Sequence, residues 1–123
     1  MTAPSPAWQR VCDSAALVEG GDGQRTTLPP SGPGAEALPV FVVRYDGGPH
    51  AWLNRCAHVA MELDWLPGKF FDSSGLYLIC ATHGATYEPD TGRCVGGPCR
   101  GAALEPVPVS EHDGAVWIAP ISR

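Results

Sequence analysis

Two short segments decide the fold of this chain, Cys-Ala-His at residues 56–58 and Cys-Ala-Thr-His-Gly at residues 80–84. Residues two apart in an extended segment project to the same side, so Cys56 and His58 can reach one centre together. Cys80 ends a predicted strand, and a turn after it brings His83 round the same point. The glycine that follows permits close backbone approach and dihedral angles that other residues avoid. The four side chains therefore predict one metal centre.

The ligand count alone does not decide which metal is bound. Two cysteines and two histidines also form tetrahedral zinc sites. Zinc fingers, however, usually pair Cys with Cys and His with His, whereas here each segment carries one ligand of each kind. The order of the ligands therefore favours another class of centre, and zinc stays as an alternative.

At these segments the chain resembles the Rieske iron–sulfur family. The family pattern is Cys-x-His, a spacer, then Cys-x-x-His-Gly, followed by an aromatic residue and a Thr-Gly turn. The chain supplies Tyr87 as the aromatic residue and Thr91-Gly92 as the turn, and the resemblance spans roughly residues 36–120. It implies one [2Fe–2S] cluster per chain, with thiolates on one iron and imidazoles on the other. The ligands implied are Cys56, His58, Cys80 and His83.

The resemblance also implies which residues surround the cluster. High-potential family members carry a Ser and a Tyr, two and four residues after the second His, that donate hydrogen bonds and raise the potential. Here those positions are Ala85 and Tyr87, so we expect a potential below that of the respiratory proteins. The alternative for Tyr87 is a core aromatic residue with its hydroxyl in water. Gly84 is expected beside the cluster, and Pro98 in a loop that excludes water from it.

The sequence also predicts the state of the cysteines that are not expected to be ligands. High-potential members have a disulfide near the cluster, and the corresponding positions here are Met61 and Ala81. Cys12 is expected in the core. For Cys94 and Cys99 the sequence leaves a bond open, and we expect buried or unpaired thiols.

The 21-residue spacer between the ligand segments is longer than many soluble Rieske ferredoxins use. Its aromatic residues are expected to pack against their own domain, with a lid or a docking patch as the alternative. They are Trp65, Phe70 and Phe71.

Composition predicts an all-β chain. Fifteen glycines and thirteen prolines in 123 residues favour short strands and many turns, and no apolar stripe holds helical spacing for three turns. We expect one domain over residues 1–123, disordered at 1–7, with a cluster-binding subdomain at about 54–100. The fold expected is the Rieske antiparallel β sandwich or barrel, with residues 20–34 as a loop. Predicted strands are 8–12, 15–18, 39–45, 50–54, 76–80, 85–88, 104–110 and 115–120.

Charge excludes some partners. The net charge is −5 and the eight basic residues are scattered, so a nucleic-acid interface is not expected. No apolar run is long enough to cross a bilayer, and no secretion signal is visible, which favours a cytoplasmic protein. His50 and His112 lie beside turns and are expected in solvent, and Glu62 and Asp64 on a solvated face.

The function expected is electron transport, with the chain as a ferredoxin-like carrier and not an enzyme. It would pass electrons between a reductase and an oxygenase or another redox enzyme. Its partners would thus be redox proteins, and the chain would be one component of a multi-protein oxidoreductase. The alternatives are a zinc-binding structural or interaction module and the small subunit of a nitrite-reductase-like complex. The sequence does not name the donor, the acceptor or the oligomeric state.

Overall fold

The computed structural model describes most of the chain in six segments. They are residues 8–30, 33–55, 62–64, 68–80, 84–97 and 101–121. Within them lie a short 3-10 turn, Ser14–Ala16, and the strands β1 Gln9–Asp13, β2 Gln24–Leu28, β3 Leu38–Tyr45, β4 Gly48–Leu53, β5 Leu78–Ile79, β6 Thr86–Tyr87, β7 Cys94–Gly96, β8 Pro106–Val107, β9 Val109–His112 and β10 Ala115–Ile118. In the described segments no helix has the length and apolar character needed to cross a membrane.

The strands form three antiparallel sheets. The first has the order β1-β10-β9, the second β2-β3-β4-β8 and the third β5-β6-β7. The first two sheets make the larger base, and the third is the smaller sheet whose strands flank the second predicted ligand segment. The all-β, antiparallel prediction is confirmed.

Two tight turns set the registers of the base. Asp46 and Gly47 have φ of 53° and 81°, and they join Tyr45 to its partner Gly48. Two consecutive positive φ angles match the twist of a two-residue hairpin, which explains the Asp-Gly sequence. Asp113-Gly114 repeats this conformation between β9 and β10, with φ of 52° and 74°.

The second sheet is buried on both faces, because alternate residues of β3 enter two different cores. Val40 and Val42 pack into the core shared with the first sheet. Phe41 and Val43 pack on the opposite face, into a core that also contains Cys80. Apolar side chains on both faces make a strand read as a continuous hydrophobic run, as β3 does.

Two predictions in the N-terminal part were wrong. Residues 15–18, expected as a strand, begin in the 3-10 turn Ser14–Ala16, and residues 20–34, expected as a loop, contain β2. The polar strand β2 pairs with β3 over its whole length, from Gln24 opposite Val42 to Leu28 opposite Leu38. Pairing with an apolar neighbour, not its own composition, makes this segment a strand.

The C-terminal part and the small sheet also differ in detail. The closing hairpin forms between β9 and β10, and the predicted strand 104–110 is divided between β8 and β9. β7 was missed, because its Cys-Val-Gly sequence was assigned to a loop. The predicted disorder of residues 1–7 lies outside the described residues, and the domain limits stay a prediction.

Candidate metal centre

Cys80 is the one predicted ligand that lies within the described residues; Cys56, His58 and His83 lie outside them. Cys80 follows β5 directly, and its thiol is fully buried among apolar side chains. The Cys80 N–H donates to the Ala85 carbonyl and the Gly84 N–H donates to the Cys80 carbonyl, both at 2.8 Å. These two bonds close the backbone across the second ligand segment, so residues 80 and 85 are held at fixed separation.

Gly84 has the backbone freedom that the sequence predicted for it. Its φ is +74°, a left-handed conformation that costs other residues about 1–2 kcal/mol. Thr86 Oγ1 donates to the Gly84 carbonyl at 3.0 Å. The turn after residue 83 is thus both sharp and fixed by hydrogen bonds.

A second glycine brings β7 and its following residue against this turn. A Cβ atom on Gly97, whose φ is +80°, would lie 2.7 Å from the Gly84 carbonyl oxygen and 3.0 Å from Ala85 Cα. Backbone therefore touches backbone here, and the residue after β7 packs against the end of the second ligand segment. Pro98, expected to exclude water from the cluster, lies outside the described residues.

Tyr87 is completely buried, in the same core as Cys80 and Ala85. The alternative of a hydroxyl standing in water is therefore wrong. A buried phenol needs a hydrogen-bond partner, and Tyr87 has an interaction in this structure. The role of the Tyr87 hydroxyl as a hydrogen-bond donor near the cluster stays a prediction.

The remaining cysteines divide into a core thiol and a disulfide. Cys12 is 8% exposed and packs in the base core, as expected, and burial raises the pKa of its thiol. Cys94 is disulfide-bonded, so the expectation of an unpaired thiol is wrong at this position. Its partner lies outside the described residues. A disulfide at Cys94 was disfavoured from the sequence because a reducing compartment was assumed.

The carboxylates at 62 and 64 were expected in solvent, and at one position this is wrong. Glu62 is exposed, but Asp64 has a side chain with no exposed area. Asn54 Nδ2 donates to Asp64 Oδ1 at 3.1 Å, and the Gly68 N–H donates to Oδ2 at 2.9 Å. Arg25 Nε lies 3.2 Å from the same Oδ2. Asp64 is therefore a buried, fully partnered carboxylate.

Asn54 completes this buried group, which sequence reasoning missed. It is 1% exposed, and its Oδ1 accepts the Leu63 N–H at 2.9 Å. The Asn54 N–H donates to the Pro39 carbonyl at 2.8 Å, which ties the group to β3. One signal was available: Asn54 ends a predicted buried strand two residues before a ligand, where a polar side chain needs a partner.

The two other histidines are less exposed than expected. His50 Nε2 lies 3.2 Å from the Tyr45 carbonyl, and His112 Nε2 lies 3.1 Å from an Asp113 carboxylate oxygen. The His112 side chain is only 16% exposed. Both belong to hairpins of the base, so they are structural partners of turns and suit use as controls.

The spacer packs against its own domain where it is described. Phe70 is fully buried and stacks on Phe41, with ring centroids 4.1 Å apart and planes 10° apart. Phe71 lies 6.5 Å from the Tyr45 ring. The expected packing is confirmed for both phenylalanines, and Trp65 lies outside the described residues.

A thiol at the end of a strand, enclosed by apolar side chains and by two glycine-mediated backbone contacts, suits a sulfur ligand of a buried cluster. In the part of the chain that the structure describes, no group of three or more His, Cys, Asp or Glu is placed to hold a metal. Three of the four predicted ligands lie outside the described residues, so the described residues do not contain the complete group. The donor set of two thiols and two imidazoles fits a mixed-ligand [2Fe–2S] cluster.

An all-β domain with two mixed Cys/His segments is typical of one class of small metalloproteins. Comparison with known proteins identifies the family within this class. Residues 7–111 match the Rieske [2Fe-2S] domain. The chain therefore belongs to the Rieske [2Fe–2S] family, whose cofactor is one [2Fe–2S] cluster.

Individual relatives agree with this family. The oxidoreductase NdmD of Pseudomonas putida is 33% identical in an alignment of 78 positions that covers 58% of this chain and 12% of that protein. The chain thus spans about an eighth of this relative. Two solved structures share the fold, each at 23% identity. The ferredoxin of carbazole 1,9a-dioxygenase from Nocardioides aromaticivorans IC177 has a TM-score of 0.69, covering 94% of this chain and 99% of that one. A chain in a complex of reduced oxygenase and oxidized ferredoxin in carbazole 1,9a-dioxygenase has a TM-score of 0.68, covering 92% and 93%.

Proposed function

We propose that this chain is a one-electron carrier in which Cys56, His58, Cys80 and His83 hold the [2Fe–2S] cluster of its family. The observation that carries the proposal is the family match over residues 7–111, which includes both ligand segments. When bound, the cluster accepts and donates one electron, with potentials of roughly −150 to +300 mV in Rieske centres. The chain is a carrier and not an enzyme in this proposal.

The described residues support this role by the environment they give the second ligand segment. Backbone hydrogen bonds from Cys80 to Ala85 and from Gly84 to Cys80 fix the two ends of this segment, and the buried Cys80 thiol lies in an apolar core. The contact of Gly97 with Gly84 packs the end of β7 against the end of this segment. A rigid, apolar surrounding keeps solvent reorganisation small when charge changes, which favours fast electron transfer.

The partners proposed are a reductase as donor and an oxygenase, or another redox enzyme, as acceptor. Support comes from the ferredoxin of carbazole 1,9a-dioxygenase, which the chain matches along nearly its whole length. The match to a part of NdmD supports the broader statement that the chain is a component of an oxidoreductase system. We also propose a cytoplasmic location, which the likeness to the ferredoxin of carbazole 1,9a-dioxygenase supports.

Electron paramagnetic resonance of anaerobically purified, dithionite-reduced protein tests the ligand set. We expect a rhombic signal of low average g, about two irons per chain, and loss of the signal in His58→Ala and His83→Ala. His50→Ala and His112→Ala are matched controls, because both histidines contact the base hairpins, and they should keep the signal. A colourless wild-type protein containing zinc would establish the structural zinc module instead.

Reduction by a partner tests the carrier role separately. An NADH-dependent reductase of a ferredoxin-using oxygenase should reduce the wild-type chain, and the reduced chain should then be reoxidised by the oxygenase. Both steps are followed by the visible absorption of the cluster in stopped flow. A loaded chain that exchanges electrons with neither class of partner would contradict the proposed partners while leaving the ligand set intact.

A further inference from the structure

The buried polar group made by Asn54, Asp64 and Arg25 has no role in the function described so far. Asp64 has a fully buried side chain and Asn54 is 1% exposed, although both lie in a small domain with water close by. Burying a carboxylate is unfavourable unless every oxygen is paired. Because packing alone does not account for a buried carboxylate, we expect a role of these three residues in the centre.

The contacts join two parts of the chain that flank the first ligand segment. Asn54 lies two residues before Cys56, and Asp64 lies six residues after His58. The bond from Asn54 Nδ2 to Asp64 Oδ1, at 3.1 Å, therefore connects the entry of the segment to its exit. The bond from the Leu63 N–H to Asn54 Oδ1, at 2.9 Å, makes the same connection a second time.

Each side of this connection is anchored to the base. Asn54 is held to β3 through the Pro39 carbonyl, at 2.8 Å. On the other side Leu63 is fully buried in the core that contains Cys80, the ligand of the second segment. The group thus links the exit of the first ligand segment to the environment of the second.

Arg25 supplies the charge that permits a buried carboxylate here. Its Nε lies 3.2 Å from Asp64 Oδ2, and its Nη2 lies 2.7 Å from Glu62 Oε1. The guanidinium side chain is 39% exposed, whereas the Asp64 side chain is not exposed at all. Breaking such a pair from one side leaves an uncompensated buried charge, so the pair acts as a unit.

We infer that Asn54 and Asp64, with Arg25, form a clamp that positions the first ligand segment and holds Cys56 and His58 against the cluster. The inference rests on the proposed ligands. It assigns these three residues as positioning residues, since none of them is a ligand. Opening of the clamp would be the first step of cluster loss.

Cluster release measures the clamp directly. With excess iron chelator, Asn54→Ala and Asp64→Ala should release the cluster about ten- to hundred-fold faster than wild type, from the loss of hydrogen bonds to a charged group. The double variant should be no faster than the more impaired single variant, because the two residues act in one unit. Glu111→Gln is the matched control. It removes a comparable ion pair, with Arg44 at 2.6 Å between β3 and β9 in the base, and should leave the release rate unchanged.

A spectroscopic readout separates positioning from stability. Asp64→Asn removes a buried negative charge, so the midpoint potential of the cluster should rise. The new amide N–H₂ group also faces an N–H donor, which should displace the clamp and shift the g values of the cluster. Glu111→Gln should change neither. If the clamp variants keep wild-type potentials, g values and release rates while losing as much stability as Glu111→Gln, the inference is wrong.

Wild-type protein provides a test that does not depend on variants folding. Hydrogen exchange followed by mass spectrometry should show slow exchange at the Leu63 and Gly68 amides of the loaded chain, measured in a peptide that contains both, because these two amides donate within the clamp. Exchange of this peptide at the rate of unstructured chain would overturn the inference. Absence of a cluster signal in wild type would refute the proposed function itself, so the two failures are distinguishable.

Discussion

Replacing Gly97 by alanine should destabilise the centre more than replacing Gly101, although both glycines have a left-handed φ. A Cβ atom on Gly97 would lie 2.7 Å from the Gly84 carbonyl oxygen, 3.0 Å from Ala85 Cα and 3.1 Å from the Gly84 carbonyl carbon. All three atoms belong to the backbone that follows the second ligand segment. Backbone held by hydrogen bonds cannot rotate away as a side chain can, so the two segments must separate.

The magnitude has two parts. The left-handed φ of +80° costs an alanine about 1–2 kcal/mol. Overpacking against fixed atoms adds about 1–3 kcal/mol. The expected loss of stability is therefore about 2–5 kcal/mol, a large part of the roughly 5–15 kcal/mol by which small domains are stable.

Gly101→Ala isolates the first part, because Gly101 has φ of +83° and nothing within 4 Å of its added Cβ. Equilibrium unfolding followed by circular dichroism should show about 1–2 kcal/mol for this control. Bleaching of the visible cluster bands under mild denaturant should accelerate in Gly97→Ala and not in Gly101→Ala. Equal destabilisation and equal bleaching of the two variants would refute the assigned contact.

Three further predictions concern other parts of the structure. Tyr87→Phe should lower the midpoint potential by about 40 mV if the buried hydroxyl contributes about 1 kcal/mol to the reduced state, measured by redox titration; an unchanged potential removes the donor. Cys94→Ser should cost about 2 kcal/mol if the disulfide partner is Cys99, since the bond closes a short loop, and mass spectrometry after thiol trapping should show one bond in wild type. The hydrogen-bonded ion pair with Arg44 lowers the pKa of Glu111 from its ordinary 4.5, so this carboxylate stabilises the fold above pH 4.5 and loses that contribution as pH falls through its folded pKa. Glu111→Gln should flatten the acid limb of the stability curve, and an unchanged acid limb would contradict the assignment.

Most of the fold was predictable because the strong local signals agreed with the tertiary structure. The apolar run of β3 and the Asp-Gly turn after it gave the central hairpin, from Leu38 to Leu53, within one or two residues. The strand β2 was not predictable in the same way. Its Gln-Arg-Thr-Thr core has weak apolar character, and it is a strand because the edge of β3 needed a hydrogen-bonding partner.

At the centre, the ligand segments could be predicted from the sequence, but the buried residues around them could not. The ligand segments have a specific spacing, and the conformational freedom of Gly84 was expected from the sequence. The burial of Asp64 was not, because a charged residue next to Glu62 reads as solvated when its partners are unknown. Its partners Arg25 and Asn54 are distant in sequence, so only the folded chain brings them together.

The central sheet contacts the small sheet through Trp52. Trp52, on β4, donates from Nε1 to the Pro89 carbonyl at 3.2 Å and lies directly against Gly92, whose added Cβ would be 2.5 Å from the indole ring. The turn between β6 and β7 is therefore fixed to the base by both a hydrogen bond and ring packing. Since β3 and β4 bury both faces, a displacement of the small sheet would disturb the base core as well. For the proposed carrier role this arrangement is favourable, because contacts between the two sheets limit movement of the protein around the centre when its redox state changes.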